Sequence, residues 1–132
     1  MNLRLNLKPI SLNQCFATLR DGRRVRSKEY AKWVKSLLGE LHPFSKEIRS
    51  FFNSYKPKSQ EIHASLTIHN PDLYTIAKTI SQRSGDIDNV FKPLADNIFI
   101  YGIDDSQIVK LSLAKVQSES WMIELLLEIK DR

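Results

Sequence analysis

Residues 84–108 read SGDIDNVFKPLADNIFIYGIDDSQI. Inside this acidic stretch Val90, Phe91, Leu94, Ala95 and Ile98 recur at helical spacing and predict a short helix, with Pro93 compatible only in its first turn. The flanking segments carry a different period. Ile62, Ala64, Leu66 and Ile68 alternate before it; Val109, Leu111 and Leu113, then Ile123, Leu125, Leu127 and Ile129, alternate after it, separated by a polar turn at 117–120. A short helix set among half-buried strands, without a strict strand-helix-strand rhythm, predicts an α+β fold.

The N-terminal half completes that architecture. Leu3, Leu5 and Leu7 alternate with polar residues as a strand that Pro9 ends. Asp21-Gly22 predicts a two-residue hairpin turn, because both positions tolerate positive φ. Ser27 caps a helix whose apolar positions Tyr30, Trp33, Val34, Leu37, Leu38 and Leu41 form one core-facing stripe. After Pro43, Ser45 opens a second helix with Ile48, Phe51, Phe52 and Tyr55 on one side. Asn70-Pro71-Asp72 has the look of a cap, a first-turn proline and an acidic first turn, so a short helix carrying Leu73, Ile76, Ala77 and Ile80 is expected. The expectation is one domain over residues 1–132, a small mixed sheet with helices packed mainly on one face.

With 42% hydrophobic and 27% charged residues the chain has a globular composition, which argues against long disorder. The single cysteine, Cys15, cannot form an internal disulfide and reads as a small buried hydrophobe, so a reducing, cytoplasmic setting is expected. The start MNLRLNLKPIS alternates and is neither a signal peptide nor a membrane span. A net charge of +5 favours polyanionic partners. Arg20, Arg23, Arg24, Arg26 and Lys28 cluster around the predicted hairpin and, with Lys8, are the candidates for nucleic-acid phosphate contacts.

Against that basic background the gathered acids need an explanation. If Asp86 and Asp88 lie on an extended segment they share a face, about 6.6 Å apart along the backbone. Two such charges repel by about 3 kcal/mol at an effective dielectric of 20. A proton, a basic side chain or a metal offsets this, and hard oxygen donors suit Mg²⁺ or Mn²⁺. Asp105 stands 17 residues beyond Asp88, enough for a short helix and a reversal that returns the chain. Asp104 is the rival, but neighbouring residues on an extended backbone face opposite ways, so only one of the pair lines a site. Lys92, four residues after Asp88, sits where a lysine can hold a phosphate or stabilise developing charge. The competing reading makes Asp86 and Asp88 solvated turn and cap residues, with Asp88, Lys92 and Asp96 an ordinary surface charge row. His42, His63 and His69 lack a tight zinc-ligand pattern.

Taken together, D-I-D-N-V-F-K-P-L-A-D followed by Y-G-I-D-D-S-Q-I-V resembles the RusA family of Holliday junction resolvases. Members carry a D-x-D-N-x-x-K block, a short helix, and a D-D-[AS]-Q-[VI]-V block entering a strand. Here these are Asp86, Asp88, Asn89 and Lys92, then Asp104 to Val109. The P-I-S-L-N segment, with Asn13 matching the usual S-x-N, and V-R-S-K-E-Y also look family-like. The resemblance implies a homodimeric endonuclease that uses Mg²⁺, with Mn²⁺ as a substitute, to nick opposing strands of a four-way DNA junction, without a small-molecule cofactor or membrane partner. By position, Asp86, Asp88 and Asp105 correspond to the metal-binding catalytic carboxylates and Lys92 to the catalytic lysine, whereas Asp104 is the adjacent acid that the family does not principally use. Such proteins frequently come from phages and prophages.

Two features depart from the family pattern. Residues 72–85 are interposed before the first aspartate, and Gly85 replaces an arginine often found there, leaving Arg83 or Lys78 to supply the charge. A non-catalytic branched-DNA-binding protein that retains the acids is the alternative. A nucleotide-sugar transferase using D-x-D fits poorly, since no glycine-rich phosphate loop is present.

Overall fold

The longest alternating run becomes the central strand. In the computed structural model, which describes residues 1–80, 88–99 and 104–132, the chain forms β1 (Asn2–Leu5), β2 (Phe16–Thr18), β3 (Arg24–Arg26), α1 (Lys28–Leu41), α2 (Ser45–Ser54), β4 (Gln60–Asn70), α3 (Asp88–Ile98), β5 (Ile108–Gln117) and β6 (Met122–Asp131). The main sheet has the order β1-β6-β4-β5, and β2 pairs with β3 as a separate ribbon. β6 lies antiparallel to both β1 and β4, whereas β5 is parallel to β4. A parallel neighbour cannot be reached by a tight hairpin. α3 lies within the connection, which is how the acidic stretch comes to sit between two paired strands.

Alternation sorts the sheet into two faces. Ile62, Ala64, Leu66 and Ile68 of β4 join Ile123, Leu125 and Leu127 of β6 and Leu3 and Leu5 of β1 in a core completed by the three helices. The other face carries polar residues: Glu124 accepts from His69 at 2.5 Å and lies 3.7 Å from Arg4, and His63 meets Glu61 at 2.9 Å. This is the α+β arrangement expected, with helices on one face. No helix among the described residues is long and apolar enough to cross a membrane.

The sequence is decisive where a cap and a stripe coincide. Ser27 Oγ accepts from the Tyr30 backbone N–H at 3.0 Å, starting α1, and Tyr30, Trp33, Leu37 and Leu41 are buried. Leu38, expected in that stripe, is 52% exposed because the core contact is narrower than the apolar face. The N-terminal strand ends at Leu5 rather than Pro9, where the Leu7 N–H turns back to the Leu5 carbonyl. Pro93 is the sixth residue of α3, not in its first turn.

Two further expectations are corrected. The hairpin loop is three residues long: the Leu19 N–H donates to Arg23 O, the Gly22 N–H to Leu19 O, and Gly22 takes φ +86°. Asp21-Gly22 supplies only the last two loop positions. The helix expected after Pro71 does not form. Asn70, fully buried at the end of β4, accepts from the Asp72 N–H through its side chain, and the chain then folds as a small hairpin with Tyr74 bridged to Ile80. Its β-branched residues Thr75, Ile76, Thr79 and Ile80 favour that extended pairing. Of the supposed stripe only Leu73 is buried, while Ile76 and Ile80 face solvent.

Leu66, 1% exposed at the centre of β4, sets a stability test. Leu66→Ala is expected to lower unfolding free energy by about 2–5 kcal/mol in urea titrations, and Leu38→Ala by no more than about 0.5 kcal/mol.

Candidate active site

The burial of one face of α3 decides where its acids point. Phe91, Leu94, Ala95 and Ile98 are buried in the core, so Asp88, Lys92 and Asp96, spaced one turn apart, are left on the exposed side. Asp88 is the first helical residue, not part of an extended segment, and its negative charge suits the helix N-terminus. α3 is tied to its surroundings at the other end, where Asn97 Nδ2 donates to the Tyr30 hydroxyl at 3.1 Å and to the Pro93 carbonyl at 2.7 Å.

Asp105 stands seven residues beyond the end of α3. It opens a 3₁₀ turn, Asp105–Gln107, that leads directly into β5. Asp104 caps this turn by accepting from the Ser106 N–H at 2.7 Å. That backbone bond, reinforced by the Ser106 side chain, holds the Asp104 carboxyl below its ordinary range. Gln107, the last residue of the turn, accepts from the Tyr55 hydroxyl at 2.9 Å. The two adjacent aspartates therefore have different surroundings: Asp104 fastens the turn, and Asp105 reaches α3.

The contact between these segments is Lys92. Its Nζ lies 2.8 Å from Asp105 Oδ2 and 2.8 Å from Asp96 Oδ1. The hydrogen bond to Asp105, then that to Asp96, pushes the lysine amine well above its ordinary value. Lys92 is thus a fixed cation between two carboxylates from different segments. Asp96 belongs to the site's geometry although sequence reading placed it only in a surface charge row; the i, i+4 spacing to Lys92 was its signal. Asp86 and Arg83 lie outside the described residues, so the separation expected between Asp86 and Asp88 has no counterpart here. Among the described residues no group of three metal-ligating side chains is gathered. Asp88 is exposed and Asp105 partly so, and their hard carboxylate oxygens fit Mg²⁺ or Mn²⁺.

The basic candidates occupy a neighbouring surface. Asn13 is exposed on the 3₁₀ turn Leu12–Gln14, which packs against α3. β2 and β3 follow directly, and Arg24 and Arg26, two apart on β3, lie over the rings of Phe16 and Tyr30 at 4.4 and 5.2 Å. Arg23 is different: its Nε is 2.6 Å from Asp21. Arg20 and Lys28 are exposed on the same segment, and Lys8 lies 5.1 Å from the Trp121 ring while its carbonyl accepts from the Trp33 indole. Cys15 is buried at the base of this ribbon, and burial pushes its thiol up.

The family model for Endodeoxyribonuclease RusA matches residues 19–128. That span runs from the hairpin loop almost to the end of β6 and includes Asp86, Asp88, Lys92, Asp96 and Asp105. No curated protein matches the chain.

Removing the bridging cation should have a modest, pH-dependent cost. Lys92→Met is expected to destabilise the fold by about 0.5–1 kcal/mol at pH 7, the range for partly exposed ion pairs. Because its partners raise the lysine's affinity for its proton, this difference holds below the ordinary lysine value of about 10.4 and is lost as pH rises beyond it. Urea titrations of both proteins at pH 7 and at strongly alkaline pH measure the gap.

Proposed function

The chain belongs to the RusA family of endodeoxyribonucleases, and from that premise we propose that it resolves four-way DNA junctions by paired, metal-dependent hydrolytic nicks, acting as a homodimer. The observation that carries this reading is the meeting of α3 and the Asp105 turn through Lys92, in a chain matched to that family. Asp88 and Asp105, with Asp86, are the residues that would hold the cation. A divalent ion in such a setting supplies charge neutralisation at the phosphate and acidifies water.

The remaining work falls to the protein's own groups. Lys92, kept protonated by its carboxylate neighbours, offers a positive charge to a phosphate oxygen once DNA competes for it. Asp96 keeps that ammonium directed along the exposed face of α3. Asp104 and the Tyr55–Gln107 bond hold the turn that presents Asp105. Water is the nucleophile: its oxygen bonds phosphorus while the bond from phosphorus to the 3′ oxygen breaks, leaving a 5′-phosphate and a 3′-hydroxyl. No side-chain nucleophile is required.

The basic ribbon supplies affinity rather than chemistry. Arg20, Arg23, Arg24, Arg26 and Lys28, with Lys8 and Asn13, are the proposed backbone contacts; Arg83 is a further candidate. Two copies of the chain match the two symmetry-related strands of a junction. In support of pairing, the outer edge of β5 has no strand partner among the described residues, and Val109 and Leu111 are exposed along that strand.

Asp88→Asn is expected to bind a synthetic four-way junction as tightly as the unaltered protein while losing about 10³-fold in Mg²⁺-dependent cleavage, a loss that EDTA reproduces. Binding without nicking in the unaltered protein would instead favour the non-catalytic alternative. Should about six phosphates be neutralised, the logarithm of affinity falls with the logarithm of salt at a slope of about −5; a flat response excludes the ribbon as the contact surface.

A further inference from the structure

The hairpin after β4 is an apolar projection that the proposed chemistry does not use. Within seven residues, YTIAKTI, Tyr74 is 53%, Ile80 64% and Ile76 105% exposed. Scattered apolar residues are ordinary on a surface, but three on one small projection mark a contact. The projection is also braced. Thr75 and Thr79 exchange a backbone bond of 2.7 Å and a hydroxyl contact of 2.7 Å, and Tyr74 is bridged to Ile80. Ile76 stands at the tip of a built turn.

That turn repeats the loop of the β2–β3 ribbon. Lys78 N–H donates to Thr75 O and Thr75 N–H to Thr79 O, the same pattern as Gly22 to Leu19 and Leu19 to Arg23. The left-handed position is occupied by glycine in the ribbon, at φ +86°, but by Lys78 here, at φ +62°. A side chain in that conformation is strained where glycine is not. The strained position thus places a positive charge two residues from the exposed tip.

We propose that the 74–80 hairpin is a second DNA-contacting element, in which Ile76 wedges between stacked bases at the branch point and Lys78 contacts an adjacent phosphate. This rests on the junction reading above. Apolar side chains that enter base steps partly unstack them, and a branch point is where stacking is most easily interrupted. The segment carries one lysine and no acid, which suits a polyanion. Ile80 precedes Asp88 by eight residues, so even a fully extended connection spans at most about 28 Å. That is about eight base-pair steps at 3.4 Å each, short enough for hairpin and acidic helix to engage one bound junction.

The test uses the full-length protein in EDTA, so that strands stay intact, with four-way junctions carrying 2-aminopurine beside the crossover. The unaltered protein is expected to raise the fluorescence as the base unstacks. Ile76→Ser should abolish that rise and reduce the preference for junction over duplex by about tenfold, from the lost burial of one side chain. Lys78→Gly, free of backbone strain, should retain the rise, weaken junction and duplex binding alike, and reduce the salt slope by about 1. Ile76 is fully exposed, so unchanged circular dichroism is expected for its variant. Fluorescence and preference unaffected by Ile76→Ser overturn the wedge while leaving junction cleavage standing. A shift from dimer to monomer in sedimentation of Ile76→Ser, without a fluorescence effect, also overturns it and assigns the tip to a chain–chain contact. An unaltered protein that neither prefers nor nicks junctions removes the junction reading, and the wedge with it.

Discussion

Carboxylates brought close together need a compensating positive charge, and Lys92 supplies it for Asp96 and Asp105 at once. The two acids come from separate segments, α3 and the 3₁₀ turn Asp105–Gln107. One side chain therefore couples the helix to the turn entering β5. Its placement follows from packing: Phe91, Leu94, Ala95 and Ile98 seek the core, and Lys92 is carried to the outer surface as a consequence. The 3₁₀ turn is also held by the bond from the Tyr55 hydroxyl to Gln107. Hydrophobic burial orients the helix, and the polar contacts then fix the register between helix and turn.

The basic surface is ordered by a different device. Arg24 and Arg26 lie over aromatic rings and have no carboxylate partner among the described residues. Stacking restrains a long side chain while leaving its charge free of a neutralising partner. Arg23, held by Asp21, is restrained at the expense of part of its field. Ordering before binding matters because immobilising such side chains during association costs about 0.5–1.5 kcal/mol each. Phe16, Tyr30 and Asp21 thus set how the three arginines are presented on the ribbon.

Much of the fold was legible because local and tertiary preferences agree. In α1 the Ser27 cap and the apolar spacing both announce a helix, and in β4 and β6 strict alternation matches a sheet buried on one side. The helix expected at 73–80 failed where they disagree. Leu73, Ile76, Ala77 and Ile80 satisfy helical spacing, yet among the described residues no neighbouring surface buries them beyond Leu73. Periodicity records which residues are apolar; it does not record whether a partner exists. The candidate site shows the same division. D-x-D-N-x-x-K and the later aspartate pair were visible as motifs, but the contact of Lys92 with Asp105 joins residues 13 apart, which no local pattern encodes. Asp104, equally acidic in sequence, is set apart by its bond to the Ser106 N–H, and Asp105 by its contact with Lys92.

The two matching turns show what a sequence can disclose about cost. Gly22 occupies its left-handed position without penalty, and Asp21-Gly22 was readable as a turn for that reason. Lys78 occupies the corresponding position against its steric preference. No turn signature is present, and the apolar spacing of the segment reads instead as a helix. A residue that opposes its local conformation is held there by the surrounding structure, here the paired threonines and the Tyr74–Ile80 bridge. The absence of a favourable turn residue therefore makes the bracing of that hairpin more informative than an Asn-Gly pair would have been. Its shape is imposed by cross-strand contacts, which leave Tyr74, Ile76 and Ile80 exposed.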